Sequence, residues 1–268
     1  MLLSFLLAIP LSAATVDGAK IHWTSTGSGK AVVLVHGWTC DETSWEAQIP
    51  ALKKQYRVIT LDLPGHGKSD APKDGKFSMA VFARAIEAVR VEAKVDRAVL
   101  VGHSMGTPVI REYARMFPKH VAGMVPVDGL LLLGAGGPGR GGAPDPAAMT
   151  GPQGMKARET MIRGMFTPAT PAAVQQHVLK MMLAAPEATA SGAMIATFAT
   201  ANLNSEVSNV PVLGIYAGNA PMSNRDTLKK LFPNSDYVQM AGTGHFVMLE
   251  RPEEFNRLLL GFLAKVEY

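Results

Sequence analysis

The chain has 268 residues, 47% of them hydrophobic and 18% charged, which is enough apolar surface for a large buried core and excludes a disordered or fibrous chain. The net charge is +4 and the isoelectric point near 9.2, but the 26 Lys and Arg are scattered with no basic stripe, which excludes nucleic acid as an expected partner. Cys40 is the only cysteine, so no intrachain disulfide and no cysteine-based metal site is possible.

The first fourteen residues are set aside from fold reasoning. Residues 2–14 carry no charge, are too few to span a bilayer, and end in the small residues Ser12-Ala13-Ala14. They resemble a secretory signal, although no Lys or Arg precedes them; the alternative is an apolar first strand. A signal implies a secreted or periplasmic protein, its absence a cytoplasmic one. Lys20–Thr26 then alternates as an edge strand, and Ala31-Val32-Val33-Leu34-Val35 reads as a strand buried on both faces. It ends in His36-Gly37-Trp38. Glu42–Lys54 is expected to be a helix with Trp45 and Ile49 on one face, and Arg57–Leu61 the next strand. The loop Asp62-Leu63-Pro64-Gly65-His66-Gly67-Lys68-Ser69-Asp70 follows, with Asp62 and Asp70 expected to tie it down. Ser78–Lys94 is a helix capped by Ser78, Arg97–Val101 a strand, Thr107–Phe117 a helix, and Val121–Val127 a buried strand ending at Asp128.

Composition changes after Asp128. Gly134–Gly154 is Gly- and Pro-rich, and three helices are expected over Met155–Phe166, Pro171–Ala184 and Glu187–Leu203, a region with seven methionines between 149 and 194. Strands and helices alternate again: Pro211–Ala217, Asn224–Phe232, Asp236–Met240 and Pro252–Val266. This pattern predicts an α/β fold with a mostly parallel sheet covered by helices. The core is residues 15–128 and 209–268, and residues 129–208 form a helical cap at the strand C-terminal edge, where open α/β sheets bind ligands.

The chemistry is concentrated in Gly102-His103-Ser104-Met105-Gly106. A G-x-S-x-G run between strand and helix makes a sharp turn that exposes the serine hydroxyl and places it at a helix N-terminus. A serine needs a base and the base a carboxylate. Among the seven histidines, His245 in Gly242-Thr243-Gly244-His245-Phe246 follows the last strand and the serine in chain order. The others have blander expected roles: His36 locked in a turn, His66 in a structural bond, and His103 beside the serine with its side chain directed elsewhere. Cys40 is expected to be a small buried hydrophobe. No His/Asp/Glu cluster has metal-ligand spacing and no phosphate loop is present, so neither metal nor cofactor is expected.

As a set, His36-Gly37-Trp38, the Asp62–Ser69 loop, Gly102–Gly106 and Gly244-His245 resemble the α/β-hydrolase family. The His-Gly-Trp entry and Met105 are similar to bacterial aryl esterases and perhydrolases. The resemblance implies a nucleophilic Ser104, a basic His245, and an oxyanion hole from the backbone N–H groups of Trp38 and Met105. The family usually carries its acid just after the strand ending here at Ala217. This chain has Gly218-Asn219-Ala220-Pro221-Met222 there, without a carboxylate, and Asp226 comes too late. Asp128, the position used by haloalkane dehalogenases among others, is the expected acid. Asn219 could orient the site but carries no charge. The expected activity is carboxylic ester hydrolysis through an acyl-enzyme, on a small-molecule ester with an apolar acyl or aryl group. Lactonase, perhydrolase or C–C hydrolase chemistry with the same triad is the alternative, as is a non-catalytic small-molecule-binding member of the fold. A carboxylate nucleophile, as epoxide hydrolases and dehalogenases use, is absent at Ser104.

Overall fold

The computed structural model describes residues 14–131, 145–199, 206–218 and 225–268. The apolar stretch 1–13, most of the Gly/Pro-rich run and Asn219 lie outside the described residues.

The chain enters through a small hairpin, β1 (Thr15–Val16) and β2 (Ala19–Lys20), which turns on Asp17 and Gly18, both at positive φ. The expected edge strand is thus two pieces, because the chain bends at Ile21-His22 and only β3 (Trp23–Thr26) joins the main sheet. That sheet has seven strands in the order β3-β5-β4-β6-β7-β8-β9, with β4 (Ala31–Val35), β5 (Arg57–Leu61), β6 (Ala98–His103), β7 (Val121–Val127), β8 (Val212–Ala217) and β9 (Ser235–Met240). Only β3 runs antiparallel to its neighbour. Every residue of β4, β6, β7 and β8 is buried, which is why these stretches read as apolar runs without alternation.

The expected helix over Glu42–Lys54 is broken. A 3₁₀ turn covers Glu42–Trp45, capped by the Asp41 carboxylate, and the helix proper, α1, is only Ile49–Leu52. Pro50 explains this: in a continuous helix its ring would meet the Glu46 carbonyl, so it is tolerated only in a first turn. Trp45 is fully buried against Phe255, and Ile49 is half-buried and packs against the same core. The helix α2 (Met79–Glu92) begins where expected, with the Ser78 hydroxyl accepting the Val81 N–H at 3.1 Å. It packs on α3 (Gly106–Met116). After β7 come α4 (Gly151–Arg163), α5 (Ala172–Ala184) and α6 (Glu187–Phe198), in the region expected to insert into the fold. Then α7 (Arg225–Leu231) precedes β9, and α8 (Val247–Glu250) and α9 (Pro252–Leu263) close the chain. Among the described residues no helix is long and apolar enough to cross a membrane.

Two glycines let β6 turn into α3. A Cβ on Gly102 would lie 2.3 Å from the Gly106 carbonyl oxygen, and one on Gly106 would lie 2.5 Å from the carbonyl oxygen of Val35. Helix propensity alone makes Gly106→Ala stabilising by about 1 kcal/mol. Backbone crowding makes it destabilising, by about 2 kcal/mol or more. Denaturant unfolding of the variant separates the two, and a midpoint at or above that of the parent would contradict the packing argument.

Candidate active site

Ser104 occupies the tip of the β6–α3 turn at φ +52°, a conformation a serine adopts only under constraint. The constraint is local. The Ser104 N–H donates to the Val127 carbonyl at 2.9 Å, the Thr107 N–H to the Ser104 carbonyl at 3.0 Å, and the Thr107 hydroxyl to the Gly102 carbonyl at 2.9 Å. The first bond ties the turn to the last residue of β7, so the residue after it, Asp128, stands beside the elbow. Gly129 continues this close approach, since a Cβ there would lie 2.1 Å from the Thr107 hydroxyl oxygen.

Asp128 is also at positive φ, +41°, and only 3% exposed. One carboxylate oxygen accepts the Ala217 N–H at 3.0 Å, and the other lies 2.6 Å from His245 Nδ1. His245 therefore donates from Nδ1, which leaves Nε2 available as a proton acceptor. His245 is 8% exposed and lines, together with Ser104, a cavity of about 130 Å³. The wall of that cavity is apolar: Leu130, Met161, Met165, Met194 and Phe198 contribute, all from beyond β7. Among the described residues no Asp, Glu, Lys or Arg lines it. The expected trio thus converges: Ser104 and His245 on one cavity, with Asp128 bonded to His245. Of the methionines, Met149, Met181 and Met182 are instead buried in the core, while Met155 is exposed.

Trp38 and Met105 line the same cavity. Among the described residues no hydrogen bond takes up either backbone N–H. The turn holding Trp38 is built by His36, whose ring nitrogens are both used: Nδ1–H donates to the Gly37 carbonyl at 2.8 Å and Nε2 accepts the Leu63 N–H at 2.9 Å. The Trp38 indole donates to the Ala190 carbonyl of α6 at 2.8 Å, fastening the turn to the inserted helices. Asp62 and Asp70 tie their loop as expected. Asp62 accepts the N–H groups of Glu42 and Lys68, and Asp70 accepts that of Lys20. His22, Glu42 and Asp62 come together, but the Lys68 ammonium lies 3.0 Å from Glu42 within the same group. Cys40 is 2% exposed, and burial pushes its thiol up, so it stays protonated.

Two residues that sequence reasoning missed hold the His245 loop. Glu250 accepts the N–H groups on either side of the histidine, Gly244 at 2.8 Å and Phe246 at 3.2 Å. His103, expected to be directed elsewhere, reaches the main chain of His245: its Nε2 lies 2.9 Å from the His245 carbonyl. Glu250 carried a weak signal, a lone acid five residues past the histidine; His103 carried none, because only the folded sheet edge brings it there.

A profile described as "alpha/beta hydrolase fold" matches residues 30–154. An uncharacterized protein of Mycobacterium tuberculosis is 35% identical over 123 residues, 46% of this chain and 34% of its own length, so the chain spans about a third of that relative. Among solved structures, an esterase from Thermogutta terrifontis superposes with a TM-score of 0.85 at 24% identity, covering 96% of this chain and 97% of that one. The esterase RhEst1 from Rhodococcus sp. ECU1013 superposes with a TM-score of 0.82 at 26% identity, covering 95% and 98%.

The buried histidines make stability pH-dependent. Burial lowers the pKa of His36, of His66 (to about 3) and of His103, so the folded state binds fewer protons there than the unfolded chain. Their stabilising contribution is complete above the unfolded value near 6.5 and is lost as pH falls below it. Unfolding free energy should fall between pH 7 and pH 5 by up to about 1.4 kcal/mol per pH unit per histidine. Denaturant titrations across that range check this, and a flat profile would contradict it.

Proposed function

With the α/β-hydrolase fold as premise, we propose that the protein is a serine hydrolase of carboxylic esters, acting through an acyl-enzyme on small uncharged substrates. The observation that carries this reading is the buried 2.6 Å contact between His245 Nδ1 and Asp128, on a histidine that shares a cavity with Ser104. In this mechanism His245 Nε2 takes the Ser104 proton as the oxygen attacks the acyl carbon. Asp128 stabilises the imidazolium that forms and keeps its tautomer. The backbone N–H groups of Trp38 and Met105 receive the negative oxygen of the tetrahedral intermediate, a contribution of about 3 kcal/mol per donor. The imidazolium then protonates the leaving alcohol, and a water repeats the sequence to release the acid. The apolar wall suits an alkyl or aryl group, and among the described residues no Asp, Glu, Lys or Arg lines it to meet a charged one. Residues 145–199 act as the cap over this pocket, with α6 held at the oxyanion turn through Trp38 and Ala190.

Steady-state hydrolysis of p-nitrophenyl acetate, butyrate and octanoate tests the reading. Turnover should be abolished in Ser104→Ala. Asp128→Asn should lower kcat by about 10³–10⁴-fold, because an amide can hold the wrong tautomer and cannot balance the imidazolium. An Asp128→Asn protein with parental kcat would remove Asp128 from the mechanism, and turnover retained in Ser104→Ala would remove the mechanism itself.

A further inference from the structure

The outlined mechanism leaves His103 without a role, yet its placement is highly specific. It is the last residue of β6, fully buried, and joined by one peptide bond to Ser104. Its Nε2 lies 2.9 Å from the His245 carbonyl, an atom that only accepts, so the proton is on Nε2. Its Nδ1 has no partner among the described residues. Its ring centroid lies 4.7 Å from that of His245 and 5.1 Å from that of Phe246, and Trp45 meets it edge-on at 6.5 Å.

The His245 main chain is thereby held at both polar atoms. Its N–H donates to the Met165 carbonyl at 3.1 Å, and its carbonyl accepts from His103. The first bond reaches into the inserted region; the second leads directly to the serine. Among the described residues no other hydrogen bond joins the His245 main chain to the elbow. The polar contact is also costly to arrange: an imidazole is fully buried with one nitrogen unpartnered, which an apolar side chain of similar size would avoid. Packing alone does not account for it.

We propose that His103 is a positioning residue that fixes the distance between His245 and Ser104 through its Nε2–H bond to the His245 main chain. The proposal rests on the ester-hydrolase reading for its kinetic consequence, but its structural content stands without it. Because His103 does not line the cavity that Ser104 and His245 share, its loss should lower kcat and leave KM nearly unchanged. Misplacing a base by a fraction of an ångström to an ångström costs up to about 10²-fold in rate.

The test compares His103→Gln, whose side-chain N–H can reach the same carbonyl, with His103→Met, of similar size and without a donor. The expected result is a kcat lowered about 10–100-fold in the Met variant with KM within about twofold, and recovery to within about threefold of the parent in the Gln variant. A second readout needs no substrate: the far-downfield proton NMR signal of the His245–Asp128 hydrogen bond should broaden or shift in the Met variant and persist in the Gln variant. Parental kcat and an unchanged signal in a folded Met variant would overturn the proposal. A Met variant that unfolds while Gln folds would also overturn it, making the bond a structural one. Failure of the ester reading looks different: the parent protein itself would turn over no ester, while the NMR comparison would still decide the role of His103.

Discussion

The site depends on how closely the backbone of one turn approaches its neighbours. Gly102, Gly106 and Gly129 each lie where a single added carbon would strike a backbone or side-chain oxygen within 2.5 Å. That crowding holds Ser104 at positive φ and leaves no slack between β4, β6 and β7 at their C-terminal ends. Once Ser104 is bonded through its N–H to Val127, the residue after β7 falls beside the elbow. Asp128 therefore owes its position to the same hydrogen bond that constrains Ser104. The carboxylate, its strained backbone and the Ser104 hydroxyl are consequences of one packing arrangement.

The other half of the site is a loop, and loops are not positioned by a sheet. The His245 loop is instead held by polar groups from four directions: the Glu250 carboxylate on the flanking amides, Met165 on its N–H, His103 on its carbonyl and Asp128 on its ring. This number of buried polar contacts on one short segment is costly unless every bond is made. The pocket itself is the opposite, a mostly apolar wall in which His245 is the one titratable side chain among the described residues. Polar contacts thus hold His245 from behind, and an apolar wall faces it in front.

Much of this was legible from residue types and spacing. The fully buried strands of the main sheet follow from apolar runs, its edge strand from alternation, and the elbow from its glycines and its place between strand and helix. The absence of a carboxylate after Ala217 directed attention to Asp128, which is bonded to His245. What was not legible depends on contacts distant in sequence. His103 and His245 are separated by 142 positions, and no periodicity relates them. Gly129 looks like any loop glycine until β7 is laid against the elbow. The helix expected over Glu42–Lys54 breaks because Pro50, whose ring and missing N–H confine it to a first turn, outweighs the apolar spacing of Trp45 and Ile49. The clearest local signals, Ser78 as a cap and the loop-tying aspartates, held because each acts within a few residues or on a single strand-edge neighbour.

Covalent labelling tests the central claim most directly, since it needs no knowledge of the natural substrate. A fluorophosphonate reacts with a serine only when a neighbouring base activates it. The account predicts stoichiometric labelling of the parent protein, mapped by peptide mass to the segment containing Ser104, with labelling greatly slowed in His245→Ala. A label on another residue, or a parent protein that takes up none, would contradict an activated Ser104 and with it the account of the site.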